Sequence, residues 1–62
     1  VPVEVLVLMK LRAARRQDQA DVEHIVRAGA DVAFLTDWLR AHAPEYLPAF
    51  GRIAQDALDP SG

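Results

Sequence analysis

Cysteine is absent from the 62 residues. Its absence excludes disulfides and thiolate metal sites, and fits a reducing compartment such as the cytoplasm. A chain this short buries only ~60% of its unfolded surface, so it folds near the margin without such a staple. An excess of positive charge is also missing: seven Lys and Arg stand against nine Asp and Glu, for a net charge of −2. That balance disfavours nucleic-acid phosphates and anionic membranes as partners. The main apolar run, Val3 to Leu11, is interrupted by Glu4 and Lys10. A membrane span needs ~20 apolar residues, and a signal peptide would place its charges before the apolar stretch; neither pattern is present. The three glycines form no phosphate-binding loop, and no Ser/His/Asp arrangement has supporting context. His24 and His42 lack both a cysteine and the i, i+4 partner of a helical zinc pair. They are expected at the surface, with no metal site, and His42 also suits the negative end of a helix.

What is there is apolar residues at helical spacing, 52% of the chain. The pattern predicts an all-α fold, a small bundle of about four short helices, in one domain over residues 1–58 with a disordered tail over 59–62. The first helix is expected from about Pro2 to Arg16. Val3, Val5, Val7 and Met9 alternate as in a strand, but the following Lys-Leu-Arg-Ala-Ala-Arg-Arg is helix-forming and no turn residue separates the two. The second is expected from about Gln19 to Ala28, with Val22, Ile25 and Val26 on one face and Gly29 as a left-handed stop. Asp31 caps a third helix reaching about His42, whose inward face uses Val32, Leu35 and Leu39, widened by Phe34 and Trp38. Pro44 and Pro48 make a tight turn before a fourth helix, Ala49 to Leu58, with Phe50, Ile53, Ala54, Ala57 and Leu58 as its apolar face. Gly51 weakens that helix by ~1 kcal/mol relative to Ala.

The first helix is apolar around most of its circumference, whereas a helix on the outside of a bundle needs a single stripe. Three neighbours cover one side. The other then faces the remainder of a larger chain or a second copy, unless the short chain wraps it fully. The chain opens on Val1 rather than Met, so a piece of a longer protein is the expectation. The segment Asp21 to His42 has the outline of a helix-turn-helix, but its would-be recognition helix carries Asp31 and Asp37 with only Arg40 to offset them, so nucleic-acid binding is disfavoured.

The informative stretch is Lys10 to Asp21. Lys10, Arg12, Arg15 and Arg16 suit the C-terminal end of the first helix, and Asp18 suits the N-cap of the second with Asp21 at its third position. The same spacing brings Lys10 beside Asp18 and Asp21 once the chain folds back. This stretch resembles the C-terminal helical region of minimal and AbiEii-like nucleotidyltransferases, many of them toxin–antitoxin or phage-defence proteins. The resemblance runs through Leu6-Val7-Leu8-Met9-Lys10-Leu11, Arg12-Ala13-Ala14-Arg15 and Arg16-Gln17-Asp18-Gln19-Ala20-Asp21-Val22, covering Pro2 to Ala28 well and the rest loosely. It implies nucleotidyl transfer from a nucleoside triphosphate with Mg²⁺, Lys10 facing the triphosphate, Asp18 and Asp21 positioning it or the acceptor, and an antitoxin as a partner. The family's Gly-Ser motif and Asp-x-Asp pair are absent from these residues. The chain alone is therefore expected to hold no metal or nucleotide cofactor and to be inactive. The resulting expectation is a helical subdomain supplying packing and nucleotide-facing side chains to a nucleotidyltransferase-like protein. The alternative is a self-associating helical interaction module.

Overall fold

The structure, a computed structural model, describes residues 1–59. Four α-helices are present among them: α1 (Val3–Ala13), α2 (Arg16–Arg27), α3 (Val32–His42) and α4 (Leu47–Leu58), with a 3₁₀ turn at Pro44–Tyr46 leading into α4. No strand occurs among the described residues, and the all-α bundle is as the sequence predicts. Beyond Asp59, the tail expected over 59–62 lies outside the described residues. Among the described residues no helix is long and apolar enough to cross a membrane.

The helix boundaries follow local chemistry at two of the three joints between α-helices. Gly29 takes φ 102°. Its N–H donates to the Val26 carbonyl and that of Ala30 to Ile25 at 3.1 and 3.3 Å, which closes α2 with the paired hydrogen bonds of a Schellman cap. The Asp31 side chain accepts from the Phe34 N–H at 3.0 Å and so caps α3 as expected. Pro44 stops α3, because the residue before a proline is driven out of helical geometry; Ala43 has φ −154° and ψ 66°. The fourth helix starts at Leu47, two residues before the expected Ala49. Pro48 falls within its first turn, where a missing N–H costs no hydrogen bond.

The first joint differs from expectation. α1 ends at Ala13, not Arg16, because Ala14 turns left-handed at φ 57° and ψ 18° with its N–H on the Lys10 carbonyl at 3.1 Å. A left-handed alanine costs ~1 kcal/mol or more. The reversal offsets that by letting α2 lie back against α1.

In space the helices follow the order α1, α2, α4, α3 around the bundle. α1 packs on α2, α2 on α4, α4 on α3 and α3 on α1, which leaves α2 and α3 diagonally opposed. The segment Asp21 to His42 therefore does not pack its two helices on each other as the outline of a helix-turn-helix suggests. The core is Val7 and Leu11 of α1, Val22 and Val26 of α2, Leu35 and Leu39 of α3, Ala43, and Phe50, Ala54 and Ala57 of α4. Two expected inward residues face out instead: Phe34 is 45% exposed and Leu58 61%. Leu58 is the last residue of α4, and Phe34 lies in the first turn of α3, next to the inward Leu35. The radius of gyration, 10.5 Å, is that of a close-packed chain of this length.

Candidate functional site

The joint between α1 and α2 gathers the charged residues singled out in the sequence. Lys10 stands in the last turn of α1 and Asp21 in the second turn of α2; its Nζ donates to Asp21 Oδ2 at 2.9 Å and reaches Asp18 Oδ1 at 3.5 Å. The first is a full charge-assisted hydrogen bond and the second a looser ion pair. Lys10, Asp18 and Asp21 therefore come together, as the fold-back requires.

Asp18 is not the cap it was expected to be. The capping position belongs to Arg15, with φ −80° and ψ 159°, and Asp18 sits three residues on, where its carboxylate faces the positive end of the helix. Its register is that of the inward stripe: Asp18, Val22 and Val26 follow one another at i, i+4 and i+8, and all three are buried, Asp18 at 2% exposure. That spacing was present in the sequence and placed Asp18 in line with the inward stripe, without deciding whether it is covered. A carboxylate so placed needs partners for both oxygens. Arg15 Nε donates to Oδ2 at 2.9 Å while Lys10 faces Oδ1, and no buried side-chain polar atom among the described residues lacks a partner.

These contacts shift the titration of the group. The Arg15 hydrogen bond holds the Asp18 carboxyl below its ordinary value, against the opposing pull of burial, with further help from the Arg15 charge and from Lys10. The Lys10 ammonium is raised above its ordinary value, first by its hydrogen bond to Asp21, again against desolvation. Asp18 is thus held charged chiefly by Arg15, and Lys10 chiefly by Asp21.

Chemically the corner is closed upon itself. The Lys10 ammonium lies between the two carboxylates, so it fills the position a divalent cation would take and repels one nearby; the pair does not fit Mg²⁺. No group of three or more His, Cys, Asp or Glu able to hold a metal occurs among the described residues, and no cavity opens beside the cluster. Exposure is graded: Asp18 is sealed, whereas the Lys10 and Asp21 side chains are 30% and 48% exposed.

Three other features are on the surface. Arg27 of α2 pairs with Glu23 at 2.6 Å and donates through Nε to the Ala57 carbonyl at 3.2 Å, satisfying one of the carbonyls at the end of α4. His42 stacks on Trp38 one helical turn before it, with ring centroids 4.6 Å apart, and both histidines are exposed. On α1, Val3, Leu6 and Met9 are 40%, 36% and 57% exposed. Leu6 and Met9 lie on the outer side of the helix, whereas Val3 sits one turn before the inward Val7, at the exposed end of the same side.

No protein-family model, curated protein or solved structure matches the chain.

Proposed function

We propose that the chain is a non-catalytic helical interaction module that self-associates through α1. The observation that carries this reading is the exposure of Leu6 and Met9 on the outer side of α1, with Val3 exposed at its start, on a helix whose inner side is already committed to the core. Isolated exposed apolar residues are ordinary on protein surfaces. Three on one helix, with Phe34 exposed on α3, which packs against α1, are more than scattered single exposures and favour an interaction surface. The sealed polar corner agrees with a structural rather than a chemical role, since both Asp18 oxygens are occupied. Light scattering over a concentration series tests the proposal: the mass is expected to rise with concentration. A monomer at millimolar concentration that melts cooperatively would overturn it.

A second reading keeps the nucleotidyltransferase resemblance, and the convergence of Lys10 with Asp18 and Asp21 favours it. In that reading the chain is a helical subdomain of a larger nucleotidyltransferase-like protein. Lys10 and Asp21, the exposed members, face the nucleotide, and Asp18 positions Lys10 from beneath. The coding sequence upstream of Val1 decides this one. A Gly-Ser motif followed by Asp-x-Asp is expected, and an unrelated domain or a stop would sink it.

A further inference from the structure

The reversal between α1 and α2 is made by Ala14 and Arg15 alone. Ala14 is left-handed at φ 57° and Arg15 extended at φ −80° and ψ 159°, and every other residue from Val3 to Arg27 is helical. Neither residue is one that stops a helix. From Lys10 to Gln19 the chain holds no glycine, proline or β-branched residue, so its local preference is for one continuous helix. Alanine resists the left-handed conformation, and α2 begins without a side-chain cap. With Ala14 and Arg15 turned helical, the N–H groups of Arg15 to Asp18 would donate to the carbonyls of Leu11 to Ala14, which the reversal leaves without helical partners. Against this stands what the reversal covers. Val7 and Leu11 are buried where α1 packs on α2, α3 and the 3₁₀ turn, and straightening a lone chain would expose them.

A second copy removes that obstacle. We infer that two copies of this chain exchange α1: in each, α1 and α2 straighten into one helix from Val3 to Arg27, and α1 takes on the partner the place it holds on its own chain. The receiving body keeps its own contacts, since α2 packs on α4 and α4 on α3 without α1. Every exchanged contact is one the monomer already makes. Val7 and Leu11 enter the same core, and Lys10 reaches the partner's Asp18 and Asp21, so the polar corner is completed by the second copy. Arg15 stands three residues before Asp18 and keeps its pair within the continuous helix. Monomer and exchanged dimer thus share one core and differ at the hinge, where the dimer gains helix and loses the left-handed alanine. A short hinge under strain is the setting in which such exchange arises. The exchange uses the inward side of α1 and needs neither Leu6 nor Met9, so it stands apart from the surface self-association proposed above.

Sedimentation equilibrium up to millimolar concentration, joined to a distance measured within one chain, tests this. Nitroxide labels at Val3→Cys and His24→Cys, diluted into unlabelled chain, report that distance by electron spin resonance; both positions are exposed and the sequence holds no other cysteine. Along a continuous helix they lie about 32 Å apart at 1.5 Å per residue, whereas the reversal folds α2 back against α1. A dimer that grows with concentration and carries the long distance is expected. Ala14→Gly should lower it at least tenfold, since glycine takes the left-handed turn freely and weakens a helix. Arg12→Glu should raise it severalfold: Arg12 has no ion-pair partner among the described residues, and a glutamate there pairs with Arg16 one turn on in the continuous helix. Met9→Glu should leave it unchanged, and melting curves on each variant show that the fold survives. Absence of any dimer, in the parent and in Arg12→Glu alike, would overturn both this inference and the surface reading. A dimer that keeps the short distance, or one indifferent to Ala14→Gly, would overturn the exchange alone and leave surface self-association standing.

Discussion

Arg15 Nε donates to Asp18 Oδ2 at 2.9 Å, joining the capping residue of α2 to a carboxylate that is otherwise enclosed by protein. The two side chains are unequal partners: Arg15 is 68% exposed and Asp18 2%. Arg15 can return to water at little cost. Asp18 cannot, and depends on Arg15 and Lys10 for its hydrogen bonds. The corner therefore specifies how α1 and α2 meet, since displacement of α2 along α1 would strand a buried charge.

Asp18→Ala should accordingly lower the melting temperature by roughly 5 °C or more in a domain of this size, because it opens a hole beside Val22 and frees both cations of the corner. Asp37→Ala, which removes the acid of an exposed pair on α3, should shift the melting temperature by no more than about 2 °C, since exposed pairs contribute little. Circular dichroism melts on the two variants make the comparison. Equal effects would show that burial of Asp18 plays no part in stability.

The pH dependence of stability should have two limbs set by the same corner. Asp18 titrates below its ordinary value of 3.8 in the folded chain. Its contribution is fully present above that value and is lost as pH falls through the lower folded value, where the unfolded chain binds the proton first. Lys10 titrates above its ordinary value of 10.5, so its contribution is complete below 10.5 and lost as pH rises through the higher folded value. Melting temperature against pH should show the acid limb flattened in Asp18→Asn and the alkaline limb flattened in Lys10→Met. Unchanged limbs in both variants would place the origin of the pH dependence elsewhere.

The two helix-associated glycines should respond to alanine with opposite signs. Gly51 lies within α4, and an added methyl group there meets nothing within 4 Å. Gly51→Ala should therefore stabilise by about 1 kcal/mol through helix propensity. Gly29 has equal room but φ 102°, a backbone conformation hostile to a side chain. Gly29→Ala should destabilise by about 1 kcal/mol, as read from urea midpoints at constant slope.

The isolated chain should turn over no nucleoside triphosphate with Mg²⁺ or Mn²⁺, because its two neighbouring carboxylates are committed to Lys10 and Arg15 and the Asp-x-Asp pair is absent from its residues. A radiolabelled-nucleotide transfer assay checks this. Turnover by a pure sample that disappears in Asp21→Ala would reverse it.

Most of the helical layout is written locally in the sequence. Gly29, Asp31 and Pro44 act within a few residues of themselves, through a positive φ, a side-chain cap and a steric block, so α2 could be ended and α3 bounded before any tertiary contact was known. The i, i+4 spacing likewise identified Val22, Val26, Leu35, Leu39, Phe50 and Ala54 as core. The sequence also brought Lys10 near Asp18 and Asp21, since any tight reversal after α1 does so. It did not place that reversal. Ala13-Ala14-Arg15-Arg16 consists of good helix formers with no stop among them, and the left-handed turn at Ala14 is imposed by the burial gained when α2 packs on α1. Only tertiary structure decided that Asp18 is buried and Phe34 exposed. An aspartate in the first turn of a helix is satisfied equally well by solvent or by a neighbouring helix, and which of the two it meets depends on how α1, bearing Lys10, packs beside α2.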